Sequence, residues 1–363
     1  MAEFIVTTAD SAFWVTSDRQ GVRLRGVPMV LARVDGRFHE IYVADDDRSF
    51  YDAVFVGQRI FVRDIASGDS TELFADTIVS RLARAYASAH PDDDPLTPDE
   101  QASVRPRTTA TADLEVLDVH GPYLSFEYHS DLDFTGQRGL ADRHAVRRMV
   151  IDLRDGTSPG LSKLFGGESA GRAAAAAARE WDRRRDSMLA SGARSGRGGS
   201  RANAEFTFDP ASFSLAAAHG APRVVFAVPG ESSRGPVRPV ELSAQAVVAP
   251  SWWREAAGEL PTAGADSVDR WTRGRLSVVA RPDSSGNHDR LSLHDEGGGS
   301  WDIGVVAAPV TRVFWLDRGV SADMRKALRR AFNEASAYAE DTRVAAGPTA
   351  FTPVTPASLG SFR

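Results

Sequence analysis

Glu127, His129, Asp131 and Asp133 alternate along one short run, YLSFEYHSDLDF. On a strand, alternation puts all four side chains on the same face. Carboxylates and an imidazole placed this way can hold a divalent cation, or serve as general acid and base. A metal-dependent hydrolase is the enzyme such a face would build. The ordinary alternative is the solvated face of an antiparallel sheet, which needs no function. A metal site confined to one strand is unusual, and no second ligand cluster is tied to this one by sequence.

Two further groups invite the same weighing. His288, Asp289, His294 and Asp295 sit in and after the loop SSGNHDR, where a hairpin could gather them as metal ligands. A polar turn followed by a strand end is the favoured reading of them. Trp252 and Trp253 could stack on sugar rings if exposed, but tryptophan is more often core. Adjacent residues on a helix cannot face the same way, so at most one of the pair is a platform. No Gly-x-Ser-x-Gly, P-loop or His-Glu-x-x-His occurs. There is no cysteine, which excludes thiol catalysis, disulfides and Cys-ligated zinc. No cofactor is expected.

The chain of 363 residues has a formal net charge of -6 and a pI near 5.8, which argues against a nucleic-acid partner. Its positive charge is nearly all arginine, a compositional habit rather than a phosphate site. No window approaches the roughly 18 consecutive apolar residues of a transmembrane helix. The first fifteen residues lack a basic n-region and a continuous apolar stretch. Either the protein works in the cytoplasm, or it is extracytoplasmic and a leader was removed, with Met1 added.

The elements that must position these residues are mostly strands. Residues 3–75 are short runs rich in Val, Ile, Phe and Tyr, with turn signals at Asp35-Gly36, Asp45–Asp47, Gly57 and Ser67–Asp69. Residues 76–89 switch to helical period, with Asp76 as cap and Ile78, Val79, Leu82, Tyr86 and Ala89 as the apolar stripe. PDDDPLTP is a proline-broken acidic linker. Two strands joined at Gly121-Pro122 follow, then a third, RRMVIDL, ended by Asp155-Gly156. An Ala-rich helix covers about 168–190, and a Gly/Ser/Arg linker 191–203. Strands return over 204–250 and 271–318, and a second helix runs over about 321–342 with Ser321 as cap.

From about Leu114 to Val247 the order of features resembles the C-terminal domain of RsiV-type anti-sigma factors, also found in PdaC-type peptidoglycan deacetylases. The matching residues are Gly121-Pro122-Tyr123-Leu124-Ser125, Ile151-Asp152-Leu153 with Asp155-Gly156, Lys163-Leu164-Phe165, Phe206-Thr207-Phe208, Ala221-Pro222, Val228-Pro229 and Val240-Glu241-Leu242. The family's Gly-Gly-Ala-His-Gly loop is replaced by Thr135-Gly136-Gln137-Arg138-Gly139 and a displaced His144. The resemblance implies an α+β extracytoplasmic module that binds a protein or glycan, without catalysis of its own.

The expected fold is α+β, mostly antiparallel sheets with two long amphipathic helices packed on them. Its units are a β-rich region with a closing helix (1–90), a linker (91–111), an α+β module (112–250) and a C-terminal set of strands, helix and tail (251–363). The expected function is a bacterial cell-envelope binding or sensing module recognising an envelope protein or peptidoglycan-type glycan. Glu127, His129, Asp131, Asp133, Trp252 and Trp253 are its candidate binding residues. A metal-dependent hydrolase on the 127–133 face and a cytoplasmic structural or interaction protein are the alternatives.

Overall fold

The computed structural model describes residues 2–18, 21–97, 100, 106–134, 143–195, 206–218, 220–232, 238–243, 245–263, 268–316 and 319–343. The chain is mixed α/β and built mainly of antiparallel sheets. The apolar runs of the first quarter form β1 (Ala2–Thr7), β2 (Ala12–Asp18), β3 (Gly21–Val27), β4 (Val30–Val34), β5 (Arg37–Ser49), β6 (Ala53–Asp64) and β7 (Ser70–Ala75). Asp35 and Gly36, both at positive φ, turn β4 into β5, as a two-residue Asp-Gly hairpin should. Asp45–Asp47 and Gly57 are not turns: they lie inside β5 and β6, with Asp46 opposite Gly57. Asp45 accepts a hydrogen bond from the Gln58 amide and Asp46 is paired with Arg59, so the acidic run can stay extended. Gly57 faces the start of the next helix, where a Cβ would make ordinary 3.7 Å contacts with Asp76 Oδ2 and Ser80 Oγ.

That helix, α1 (Ile78–Ala89), begins on Asp76, whose buried carboxylate accepts from the amides of Ile78, Val79 and Ser80 at 3.1, 2.8 and 3.2 Å. Tyr128 Oη donates to the same carboxylate at 2.5 Å and ties the cap to the sheet below. The buried stripe is Val79 and Ala83 flanked by Ile78, Leu82, Tyr86 and Ala87, so it ends before Ala89.

The centre of the chain supplies β8 (Thr108–His120), β9 (Tyr123–Phe134), β10 (Arg143–Asp152), α2 (Leu161–Phe165) and α3 (Gly167–Ser195). Then come β11 (Phe213–Ala218), β12 (Ala221–Val228), β13 (Gly230–Ser232), β14 (Val240–Glu241), β15 (Gln245–Ala246) and α4 (Ser251–Glu255), followed by a 3₁₀ turn, Ala257–Glu259. Last are β16 (Thr262–Ala263), β17 (Asp269–Arg273), β18 (Leu276–Pro282), β19 (His288–Asp295), β20 (Ser300–Ala307), β21 (Arg312–Trp315) and α5 (Ala322–Arg343). Ser321 Oγ caps α5 through the Met324 amide, 3.1 Å. Residues 135–142, 196–205 and 344–363, which include the Gly/Arg loop, most of the Gly/Ser/Arg linker and the C-terminal tail, lie outside the described residues. None of the described helices is long and apolar enough to cross a membrane.

Sheet membership cuts across the expected division of the chain. One eight-stranded sheet runs β13-β10-β9-β8-β6-β5-β4, with β7 on β6, so segments 1–90 and 112–250 share it. The join is a parallel pairing of β6 with β8, Ala53 to Val56 against Thr108 to Thr111. A second sheet runs β21-β1-β2-β3, pairing Phe4 with Trp315. The physical reason is burial: β1 is apolar on both faces and needs a neighbour on each edge and a layer on each side.

Four apolar cores follow. One lies between α1 and the eight-stranded sheet. A second lies between the β1–β3 sheet and the β17–β20 sheet, around Trp271 and Trp315. A third packs Ala170, Ala173, Ala177 and Trp181 of α3 with β11 and β12 over Tyr123 and Val150. In the fourth, Leu328, Ala331 and Phe332 of α5 pack with Trp14, Phe38 and Phe314.

Candidate functional site

Alternation along β9 does what the sequence requires of it. Leu124, Phe126 and Tyr128 enter the core under α1, while Ser125, Glu127, His129, Asp131 and Asp133 point to the other side. That side is not simply solvated. Ser125 is fully buried, and its Oγ accepts from the Leu215 amide of β11 at 2.9 Å. The cover thins along the strand, from 9% side-chain exposure at Glu127 to 48% at Asp133.

The four candidate residues divide into two groups, each gathered about a histidine. Glu127 Oε1 is 2.8 Å from His129 Nε2, and its Oε2 accepts from Arg148 Nε at 2.8 Å. Arg148 reaches on to Glu241. Burial pushes the Glu127 carboxyl up, but the bonds from His129 and Arg148 outweigh it and hold the group below its ordinary value. The bond to Glu127 raises the His129 imidazole against its desolvation. Farther along, His144 of β10 is buried opposite Asp131, with Nδ1 2.7 Å from Asp131 and Nε2 3.6 Å from Asp133. Sequence reading treated His144 only as a displaced loop histidine, because its partners are across the sheet.

One possible metal arrangement emerges among the described residues. Ligand atoms of Glu115, Glu127 and His129 lie within 4.8 Å of one another, Glu115 standing opposite Glu127 on β8. Asp131 and Asp133 are not in that group. The Arg148 guanidinium already occupies the cationic position beside Glu127. The β19 candidates do not converge. Asp289 accepts from the Val310 amide, His294 meets Ser292 Oγ, Asp295 accepts from the Gly297 amide, and His288 stands 3.7 Å from Asp283.

The tryptophan pair separates as helix geometry demands. Trp253 is 2% exposed, donates to the Gly220 carbonyl at 2.9 Å and stacks on His120 at 4.8 Å, so it is not a binding platform. Trp252 is half-buried, held by a 3.2 Å bond from Nε1 to the Leu164 carbonyl and by an edge contact with Tyr123. It lines a cleft of about 200 Å³ with Arg33, Asp35, Arg154, Glu255 and Glu259. Gly121, at φ +55, forms part of the wall; a Cβ there would lie 3.6 Å from the Trp252 ring. Arg154 is held in the plane of Asp152 by two bonds and lies over Tyr123.

Glu259 is the group sequence reading missed. Its side chain is 15% exposed, with Arg33 Nη1 at 3.3 Å. Burial pushes its carboxyl up to about 7 against the pull of Arg33 and Arg312. Behind it, Arg312, 5% exposed, donates to Asp118 Oδ1 at 2.6 Å. Asp118 Oδ2 lies 3.0 Å from His120 Nε2, although neither ring nitrogen of His120 meets hydrogen-bond geometry. Burial raises the Asp118 carboxyl, but Arg312 first and His120 second pull it well below the carboxylate range. A raised carboxyl in a cleft marks a candidate functional position. No local spacing announces it, because Arg33, Asp118, Glu259 and Arg312 come from four distant segments.

Neither a protein-family model nor a curated protein matches this chain.

Proposed function

We propose that the protein is a non-catalytic binding module of the cell envelope and that the cleft at Trp252 takes a glycan of peptidoglycan type. The observation that carries the reading is the mixture of groups in this cleft. An indole face stands beside two guanidinium groups and three carboxylates. A sugar ring offers hydroxyls that donate and accept, and a carbon-bound hydrogen face that packs on an aromatic ring. Arg154 and Arg33 are pre-set by Asp152 and Glu259, so little side-chain entropy is lost when they meet a ligand. The resemblance of residues 114–247 to the envelope module agrees with a glycan or protein ligand. The test is calorimetric titration with soluble peptidoglycan oligosaccharides. Trp252→Ala should weaken binding at least tenfold while leaving the circular dichroism spectrum unchanged. Equal affinity in wild type and variant, or no binding by wild type, refutes the reading.

A metal-dependent hydrolase on the polar face of β9 is the second reading, supported by the approach of Glu115, Glu127 and His129. Elemental analysis of the purified protein decides it: one bound metal per chain, lost in Glu127→Gln, favours the hydrolase.

A further inference from the structure

The sheet that β1 organises has an open side against α5, and the charge there differs from that of the Trp252 cleft and of the groove beside Tyr42. Arg23 and Arg25 lie on one face of β3, directly opposite Thr16 and Trp14 of β2. Opposed positions in an antiparallel pair bring side chains within about 5 Å at Cβ, so Arg25 stands beside Trp14 and Arg23 one pair further along the same face. From the other side, Arg329 of α5 lies over the Trp14 ring at 5.8 Å, and Phe332 meets the same ring edge-on at 5.2 Å. Between strand and helix is a groove of about 360 Å³ with Trp14 and Phe332 as its apolar floor.

The lining carries three arginines against one glutamate, Glu3. Glu3 is already engaged by Arg329 at 2.9 Å and by Arg325 at 3.6 Å. Arg25 meets the Asn333 amide oxygen, a neutral partner that leaves its charge uncompensated. Arg23 has no ion-pair partner among the described residues. The Trp252 cleft has more carboxylates than guanidinium groups, and the groove beside Tyr42 sets Arg63 against Glu40 and Glu334. Of these three clefts, this groove alone carries a local excess of positive charge, in a chain of net charge -6.

We propose that the β3–α5 groove binds a phosphate-type oxyanion, clamped by Arg23 and Arg25 from the strand and Arg329 from the helix. The planar fork of a guanidinium matches the oxygen spacing of phosphate, and forks from two elements can close on one tetrahedral ion. Asn333 and Thr16 supply neutral hydrogen-bonding groups at the same rim. Three arginines gathered in one short groove suit a single phosphate group, free or as a monoester, rather than a polymer that needs an extended basic track.

The test is calorimetric titration of the full chain with inorganic phosphate and with a sugar monophosphate. Sodium chloride at matched ionic strength is the control. One saturable site with a dissociation constant on the order of 1 mM or tighter is expected. The double variant R23Q/R25Q, at exposed positions, should weaken it at least tenfold, and R329Q should weaken it with Glu3 left in place. Trp252→Ala should leave phosphate binding unchanged, which separates this site from the glycan cleft. Tighter binding of the monoester assigns the site to a phosphorylated ligand, and equal binding assigns it to the free ion. Chloride-like heats, or undiminished binding in R23Q/R25Q, overturn the proposal.

Discussion

Replacing Arg312 with methionine keeps most of the side-chain volume and removes the cation that holds Asp118. The two groups are 2.6 Å apart and Arg312 is almost wholly buried, so solvent screens the pair little. With charge centres about 4 Å apart and an effective dielectric near 20, the lost attraction is about 4 kcal/mol. Breaking a buried pair by deleting one partner costs about 3–5 kcal/mol in comparable cases, because the survivor is left charged and desolvated. Arg312→Met should therefore lower unfolding free energy by about 3–5 kcal/mol, measured by urea denaturation followed through tryptophan fluorescence. Asp118→Asn in the Arg312→Met background should recover part of that loss, since it removes the unpaired charge. The pH dependence supplies the sign. In wild type the folded Asp118 carboxyl lies below its unfolded value, so its stabilisation is present above about pH 4 and is lost only in stronger acid. In Arg312→Met the carboxyl keeps only His120 and the Val119 amide against its burial, so the acid-sensitive stabilisation it gives in wild type should shrink. A cost below about 1 kcal/mol, or a double variant no more stable than Arg312→Met, refutes the reasoning.

Asp76→Ala removes the acceptor of three α1 amides and takes from the buried Tyr128 hydroxyl its carboxylate partner. A loss of about 2–4 kcal/mol in urea denaturation is expected, with faster amide exchange in the first turn of α1. Trp253→Ala empties a fully buried site and should cost about 3–5 kcal/mol in the same assay, where Trp252→Ala costs less. Glu259 has a folded carboxyl at about 7 against an ordinary 4.5, so the folded state holds its proton more tightly than the unfolded chain does. Its contribution is most favourable below about pH 4.5 and declines as pH rises towards 7. Stability of Glu259→Gln minus wild type should accordingly rise between pH 5 and 8, by at most about 3 kcal/mol, and a flat difference contradicts the assignment.

Local features of the chain could be read directly. The Asp35-Gly36 hairpin, the Asp76 and Ser321 caps and the two-faced alternation of β9 each rest on residues within a few positions of one another. Gly57 and Asp45–Asp47 misled because turn chemistry was judged without the partner strand that neutralises it. The polar face of β9 was legible as a face. Its cover by β11, and its pairing with Arg148 and His144, belong to other strands and left no trace in the run itself. The Trp252 cleft was legible only as a tryptophan. Glu259, Arg33 and the Arg312–Asp118 pair meet across separations as large as 226 residues, where nothing periodic marks the partner.

The pairing of β1 with β21 also bears on how the chain is made. Synthesis places β1 outside the ribosome about 300 residues before its neighbour exists. At about 5–20 residues per second, that leaves Phe4, Ile5 and Val6 with one unmated edge for roughly 15–60 s. Such an edge is a template for pairing with other nascent chains. A strand made about 300 residues ahead of its neighbour is thus among the last to be completed, and the yield of folded protein should depend on what shields it during that interval.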